Sequence, residues 1–156
     1  MRTAFNALLL VALGLVGACT SEPRMTTSER LEFYRAHAGE PVRSFASPAR
    51  LWGWRSVGDS ALTVWTRRDQ GFLLELTSRC PDLAFASKIG LSTRTGHVSA
   101  GFDSIIVPRR GAAGPATSCR IQTIRPLDTR SVRESKRELN EADVVERGPE
   151  STDTPQ

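Results

Sequence analysis

A serine hydroxyl attacks a substrate only when a neighbouring base takes its proton. Ser60 stands in the run Gly58-Asp59-Ser60-Ala61-Leu62, the block most suggestive of such chemistry. It needs an imidazole. The chain holds two histidines, His37 and His97, and neither has an aspartate three residues before it. The residues after Ser60 have strand rather than helix character, and a β-turn accounts for Gly-Asp-Ser. Metal chemistry has less to start from. There is no Cys-x-x-Cys and no His-x-x-x-His, whereas a strong site gathers three or four ligands. Asp59, Asp69, Asp82 and Asp103 fall near turn signals, where turn composition explains them. The glycines of 109–115, RRGAAGP, lack the spacing and the lysine of a phosphate loop. No catalytic residue, metal or cofactor is expected.

The block GDSAL resembles the nucleophile segment of the GDSL hydrolases. That resemblance implies an ester-cleaving Ser60 partnered by an Asp-x-x-His, which this chain lacks. A serine hydrolase using Ser60 is therefore kept as an alternative only.

Binding chemistry is better represented. Trp52, Trp54 and Trp65 sit among Arg50, Arg55, Arg67 and Arg68. Arginine forks grip carboxylates and phosphates in pairs, and flat indoles cover sugar or lipid faces. The candidate binding surface is Arg50, Trp52, Trp54, Trp65, Arg67 and Arg68. On one strand Trp52 and Trp54 share a face and Arg55 takes the other. A turn at 57–60 would carry one of that pair beside Trp65. The surface disappears if the shared face is the core face.

The chain carries a formal charge of +4, almost wholly as arginine; Lys88 and Lys136 are the only lysines. Residues 4–18, AFNALLLVALGLVGA, are the one long apolar run, preceded by Arg2. It is short of the roughly 20 residues of a membrane span and fits an export signal. Val16-Gly17-Ala18-Cys19 resembles the bacterial lipobox. That implies cleavage before Cys19, a thioether to diacylglycerol, and acylation of the new amine. Two or more acyl chains hold a protein stably on a membrane. The third of three cysteines in an exported chain needs such an explanation. With Cys19 lipidated, Cys80 and Cys119 remain as a pair, and an oxidising periplasm favours their disulfide. Thr20, where an aspartate tends to retain such proteins at the inner membrane, points to the outer one. Nucleic acid is not an expected partner there; an anionic envelope component or another envelope protein is.

The elements that must position these residues follow from periodicity. We expect a signal peptide over 1–18, a lipid-anchored tether over 19–28, one β-rich domain with terminal helices over 29–145, and a disordered tail over 146–156. Thr26-Thr27-Ser28-Glu29 has the capping-box pattern and predicts a short helix with Leu31, Tyr34 and Ala38 on one face, ended by Gly39 and Pro41. From 42 to about 125 the period is two. ALTVWTR (61–67), FLLEL (72–76), HVSAGFDSIIV (97–107) and CRIQTI (119–124) alternate between turn signals at 57–60, 68–71, 95–96 and 111–115. Phe72, Leu74 and Leu76 should share one face, as should Val98, Ala100 and Phe102. Asp128 or Thr129 can cap a last helix over roughly 130–145, with Val132, Leu139 and Ala142 as its apolar stripe. The fold class expected is mainly β: a small antiparallel β-barrel or sandwich with a short N-terminal and a C-terminal helix.

RLEFYRAHAGEPVRSF, VGDSALTVWTR, CPDLAFASKIGLSTRTGHVSAGFDSIIV and CRIQTIRPLD together resemble the small bacterial lipoproteins known as domain of unknown function 6491. The likeness spans residues 30–128, and CPDL with CRIQTIRPLD is its most specific part. It implies an envelope location and a compact disulfide-linked domain, and no activity. The function expected is non-catalytic: a lipid-anchored envelope protein that binds a ligand or supports assembly. The alternative is an inhibitor or accessory protein that grips another envelope protein.

Overall fold

The computed structural model describes residues 25–93, 96–109 and 115–147, with the backbone course alone for 142–147. The expected signal peptide, Cys19, most of the expected tether, and the residues beyond 147 lie outside the described residues. Helix α1 (Thr27–Ala36) starts two residues inside the expected tether, because Thr26 caps it. The Glu29 N–H donates to Thr26 Oγ1 at 3.2 Å, and the Thr26 N–H donates to the Glu29 carboxylate at 2.7 Å. Eight strands follow: β1 (Ser44–Ala46), β2 (Gly53–Ser56), β3 (Ala61–Arg67), β4 (Gln70–Leu76), β5 (Gly90–Leu91), β6 (His97–Ser99), β7 (Ser104–Val107) and β8 (Thr117–Leu127). Helix α2 (Thr129–Arg147) closes the described chain. Asp128 accepts the N–H groups of Arg130 and Ser131 and caps it.

The protein is mainly β, with antiparallel sheets. Six strands form one sheet in the order β2-β3-β4-β8-β7-β5, and β1 pairs with β6 in a second. The larger sheet curls into a half-barrel. Alternation gives it two different faces. Leu62, Val64, Phe72, Leu74, Leu76, Ile105, Val107, Ile121 and Ile124 pack with Val98 and Phe45 of the small sheet. Phe45 and Phe72 stack with ring centroids 4.5 Å apart and join the sheets. On the opposite face Ala61, Leu73 and Leu127 meet Tyr34 of α1 and Val132 of α2. Because β3 and β4 are covered on both sides, ALTV and FLLEL read as nearly continuous apolar runs. Burying each large aliphatic side chain contributes about 1.5–3 kcal/mol.

Cys80 and Cys119 are joined by a disulfide, with Cα atoms 5.7 Å apart. It ties the loop after β4 to β8. Gly58, in the turn before β3, has φ +82°, and a Cβ there would overlap the Thr27 methyl. The turn therefore needs glycine both for its conformation and for the approach of α1.

One expectation is corrected. Val98 is buried, but Phe102 is 83% exposed and shares no inward face with it. The stretch 97–107 is not one strand. Gly101, at φ +78°, turns the chain between β6 and β7. Asp103 fastens the turn by accepting the Ser99 N–H at 2.8 Å.

Candidate functional site: a groove between two sheet edges

The two edge strands of the half-barrel are β2 and β5. The segments that lead into them, 47–54 and 87–91, line a common groove of about 770 Å³. Arg50, Trp52 and Trp54 stand on one bank, Lys88, Gly90 and Leu91 on the other. Trp52 is 62% exposed. Trp54 is half-buried because its inner side packs on the main core. Arg50 and Lys88 are exposed, and neither has a hydrogen bond or ion pair with a described residue. No carboxylate lines the groove among the described residues. Two exposed cations beside an indole surface are chemistry suited to anions with an apolar or flat body.

Local register explains this arrangement. Trp54 is paired with Val64 and Gly53 with Trp65. Paired residues share a face, and successive residues alternate. Trp54 thus joins Val64 on the main-core face, and Trp65 lies on the other. The Trp65 ring sits over Gly71, where a Cβ would come within 2.9 Å of its Nε1. The same Cβ would lie 3.3 Å from the methyl of Thr129, at the start of α2. The Trp52 N–H also donates to the Trp65 carbonyl, at 2.8 Å. This bond ties the residue before β2 to β3.

The expected surface is thereby divided. Arg50, Trp52 and Trp54 line one bank, but the two indoles do not share a strand face as expected: Trp52 precedes β2 and is exposed, whereas Trp54 takes the core face and only its outer side reaches the groove. Trp65 is carried to the helix-covered face rather than beside them. Arg67 and Arg68 are exposed at the β3–β4 turn and do not line the groove. Arg55, paired with Thr63, takes the face opposite Trp54. Lys88 was not among the expected residues. The sequence places it 34 residues from Trp54 with no motif around it, and only sheet closure brings β5 opposite β2.

Ser60 lies in the turn before β3. Its carbonyl accepts the Leu76 N–H at 2.8 Å, and the neighbouring Asp59 is ion-paired with Arg79 at 3.0 Å. Its hydroxyl has no hydrogen bond to a described residue. His37 turns away from it. His37 Nδ1 is 2.7 Å from the Phe33 carbonyl, and Nε2 is 3.0 Å from Ser135 Oγ. A carbonyl only accepts, so Nδ1 carries a proton and donates to Phe33, which leaves Nε2 to pair with the Ser135 hydroxyl. This serine–imidazole–carbonyl chain has the outline of an activated nucleophile. It lacks the rest: Ser135 lies inside α2, whose N–H groups are consumed in the helical ladder, so the helix offers no oxyanion donors. Among the described residues there is no cluster of three or more metal-ligating side chains.

Two charged groups outside the groove are fastening points. Arg35 donates from Nε to Glu75 on β4 and from Nη1 to Glu32, each at 2.7 Å. The bond to Glu75 is the main cause holding the Arg35 pKa above its ordinary value. Lys136 Nζ donates to the Tyr34 hydroxyl at 2.8 Å and lies 5.0 Å from the ring centroid. No helix among the described residues is long and apolar enough to cross a membrane.

Comparison with curated proteins and with solved structures returned no match. A family model whose function is unknown covers residues 1–143, nearly all of the described chain. The chain belongs to the Family of unknown function (DUF6491).

Proposed function

We propose that this protein is a non-catalytic, lipid-anchored envelope protein that holds an anionic ligand in the groove between β2 and β5. The observation that carries the reading is the pairing of Arg50 and Lys88, both without described partners, across an indole-lined groove with no lining carboxylate. The anchor would be lipid on Cys19 after removal of residues 1–18, with the tether to residue 28 reaching the domain and Thr20 directing it to the outer membrane. The domain, residues 29–145, is read as an incomplete antiparallel barrel whose open seam is the site. Hydrolysis by Ser60 has less support, because its hydroxyl has no described hydrogen-bond partner.

A photo-crosslinking side chain at Trp52, placed in the full chain in its native envelope, tests the site. It should capture an anionic envelope component, and the same probe at Arg68, outside the groove, should not. Equal adducts from both positions, or none from Trp52, would sink the reading. Mass spectrometry of the mature protein should show an N-terminal Cys19 with added acyl mass.

A second reading, an inhibitor or accessory protein of another envelope protein, is favoured by Phe102. This exposed ring stands on the β6–β7 turn beside a second depression of about 600 Å³ lined by Pro41, Val42 and Arg43. A Phe102→Ser variant that loses a co-purifying envelope protein while the Trp52 adduct persists would support it.

A further inference from the structure

The groove is bounded by main chain as well as by side chains. In an antiparallel pair, residues alternate between those that bond across the ladder and those whose N–H and C=O point away. The Val57 N–H donates to the Ala61 carbonyl, which makes that a bonded pair. Stepping by two along the β2–β3 register, Arg55 and Gly53 also face β3. Trp54 therefore directs its N–H and C=O outward. On the other bank the Ser92 N–H donates to Ser104, and Gly90 is paired with Ile106. By the same alternation Leu91 directs its N–H and C=O away from β7. Trp54 and Leu91 both line the groove. Two sheet edges thus present unpaired backbone groups to one space.

We propose that the ligand of this groove is an extended acidic peptide segment of a partner protein, which adds as a strand to the β2 edge and spans toward β5. The inference rests on the reading of the groove as anion-binding and names its ligand class. Strand addition draws affinity from main-chain hydrogen bonds and specificity from pockets for alternate side chains. On a strand, one set of alternate side chains would meet Trp52 and Trp54. Its carboxylates would reach Arg50 and Lys88, the complement of a lining without acids. The four residues of β2 and two of β5 limit the addition to one short segment, which protects the edges from open-ended pairing. A glycan could stack on the indoles and meet the cations, but it has no regular N–H and C=O ladder to match the backbone of Trp54 and Leu91.

The test uses the full chain in detergent with an acetylated, amidated, fluorescently labelled hexapeptide of alternating Glu and Val. Three comparisons follow. The first is the same peptide N-methylated at alternate residues, in both phases. The second is a glucuronate oligosaccharide. The third is the exposed-site variants Arg50→Glu and Lys88→Glu. We expect the hexapeptide to bind and to slow amide exchange at Trp54 and Leu91. One methylation phase should weaken binding about tenfold, as main-chain hydrogen bonds are lost. Each charge reversal should weaken it at least about two- to fivefold, less so in high salt. Equal binding of both methylated peptides, or unchanged exchange at Trp54 and Leu91, would overturn strand addition. Binding of the oligosaccharide but not the hexapeptide would overturn this inference and leave the anion-binding groove standing. Binding of neither would remove both.

Discussion

His37 Nε2 lies 3.0 Å from Ser135 Oγ, across 98 residues of sequence, and joins the C-cap of α1 to the first half of α2. The ring stacks at a tilt on Phe33, with centroids 4.5 Å apart. The pair is a polar staple between two helices that share one face of the sheet. Ser135→Ala should destabilise the fold by about 1 kcal/mol, the net worth of one such bond, as read by urea denaturation. A fluorophosphonate probe should label neither Ser135 nor Ser60. Labelling lost in Ser135→Ala would make the staple a nucleophile instead.

The disulfide closes a loop with a sequence separation of 39. Loop-closure entropy puts its contribution at about 4 kcal/mol. Reduction, or replacement of Cys80 and Cys119 together by Ala, should lower the denaturation midpoint accordingly. A midpoint unchanged by reductant would mean that the bond adds nothing to the folded state.

Gly58 is held in the left-handed region and against Thr27. Gly58→Ala should cost at least about 1–2 kcal/mol from backbone conformation alone, and more from the overlap. Thr27→Ser removes the methyl that an added Cβ would meet. The double variant should therefore recover part of the loss, and a double-mutant cycle should show coupling. Strict additivity would mean that the contact plays no part.

The α1 cap makes a prediction about pH. The Thr26 N–H, and then its hydroxyl, hold the Glu29 carboxyl below its ordinary value of 4.5. A carboxyl whose pKa is depressed on folding adds stability above its unfolded value and loses it as pH falls through the folded one. The stability gap between the native protein and Glu29→Gln should be full near neutral pH. It should begin to close as pH falls below about 4.5 and vanish once pH is below the folded value. Thr26→Ala should cost about 1 kcal/mol at neutral pH. A gap that persists through the acid range would show that the carboxylate charge is not what caps the helix.

Local features of this chain were legible in its sequence because their physics is local. A capping box spans four residues, so Thr26 and Glu29 announce α1. Period-two alternation marks β3 and β4, and cysteine arithmetic singles out Cys80 and Cys119. The glycine at 58 reads as a turn, though its contact with Thr27 does not. The groove was only half legible: Arg50, Trp52 and Trp54 are neighbours along the chain, whereas Lys88 and Leu91 join them through six-stranded sheet order.

What tertiary structure alone decided was which faces and edges meet. Alternation tells which residues of one strand share a side, but pairing with the next strand depends on register. A shift of one residue sends every side chain to the opposite face. That is why Trp54, paired with Val64, stands at the groove while Trp65, one position on, packs over Gly71 toward α2. It is also why Phe102 faces solvent: Gly101 breaks the period that a count from Val98 assumes. The sequence by itself determined β3 and β4, the helix caps and the cysteines available to pair. Sheet curvature, which no window of sequence encodes, decided that β2 and β5 face one another across a shared space.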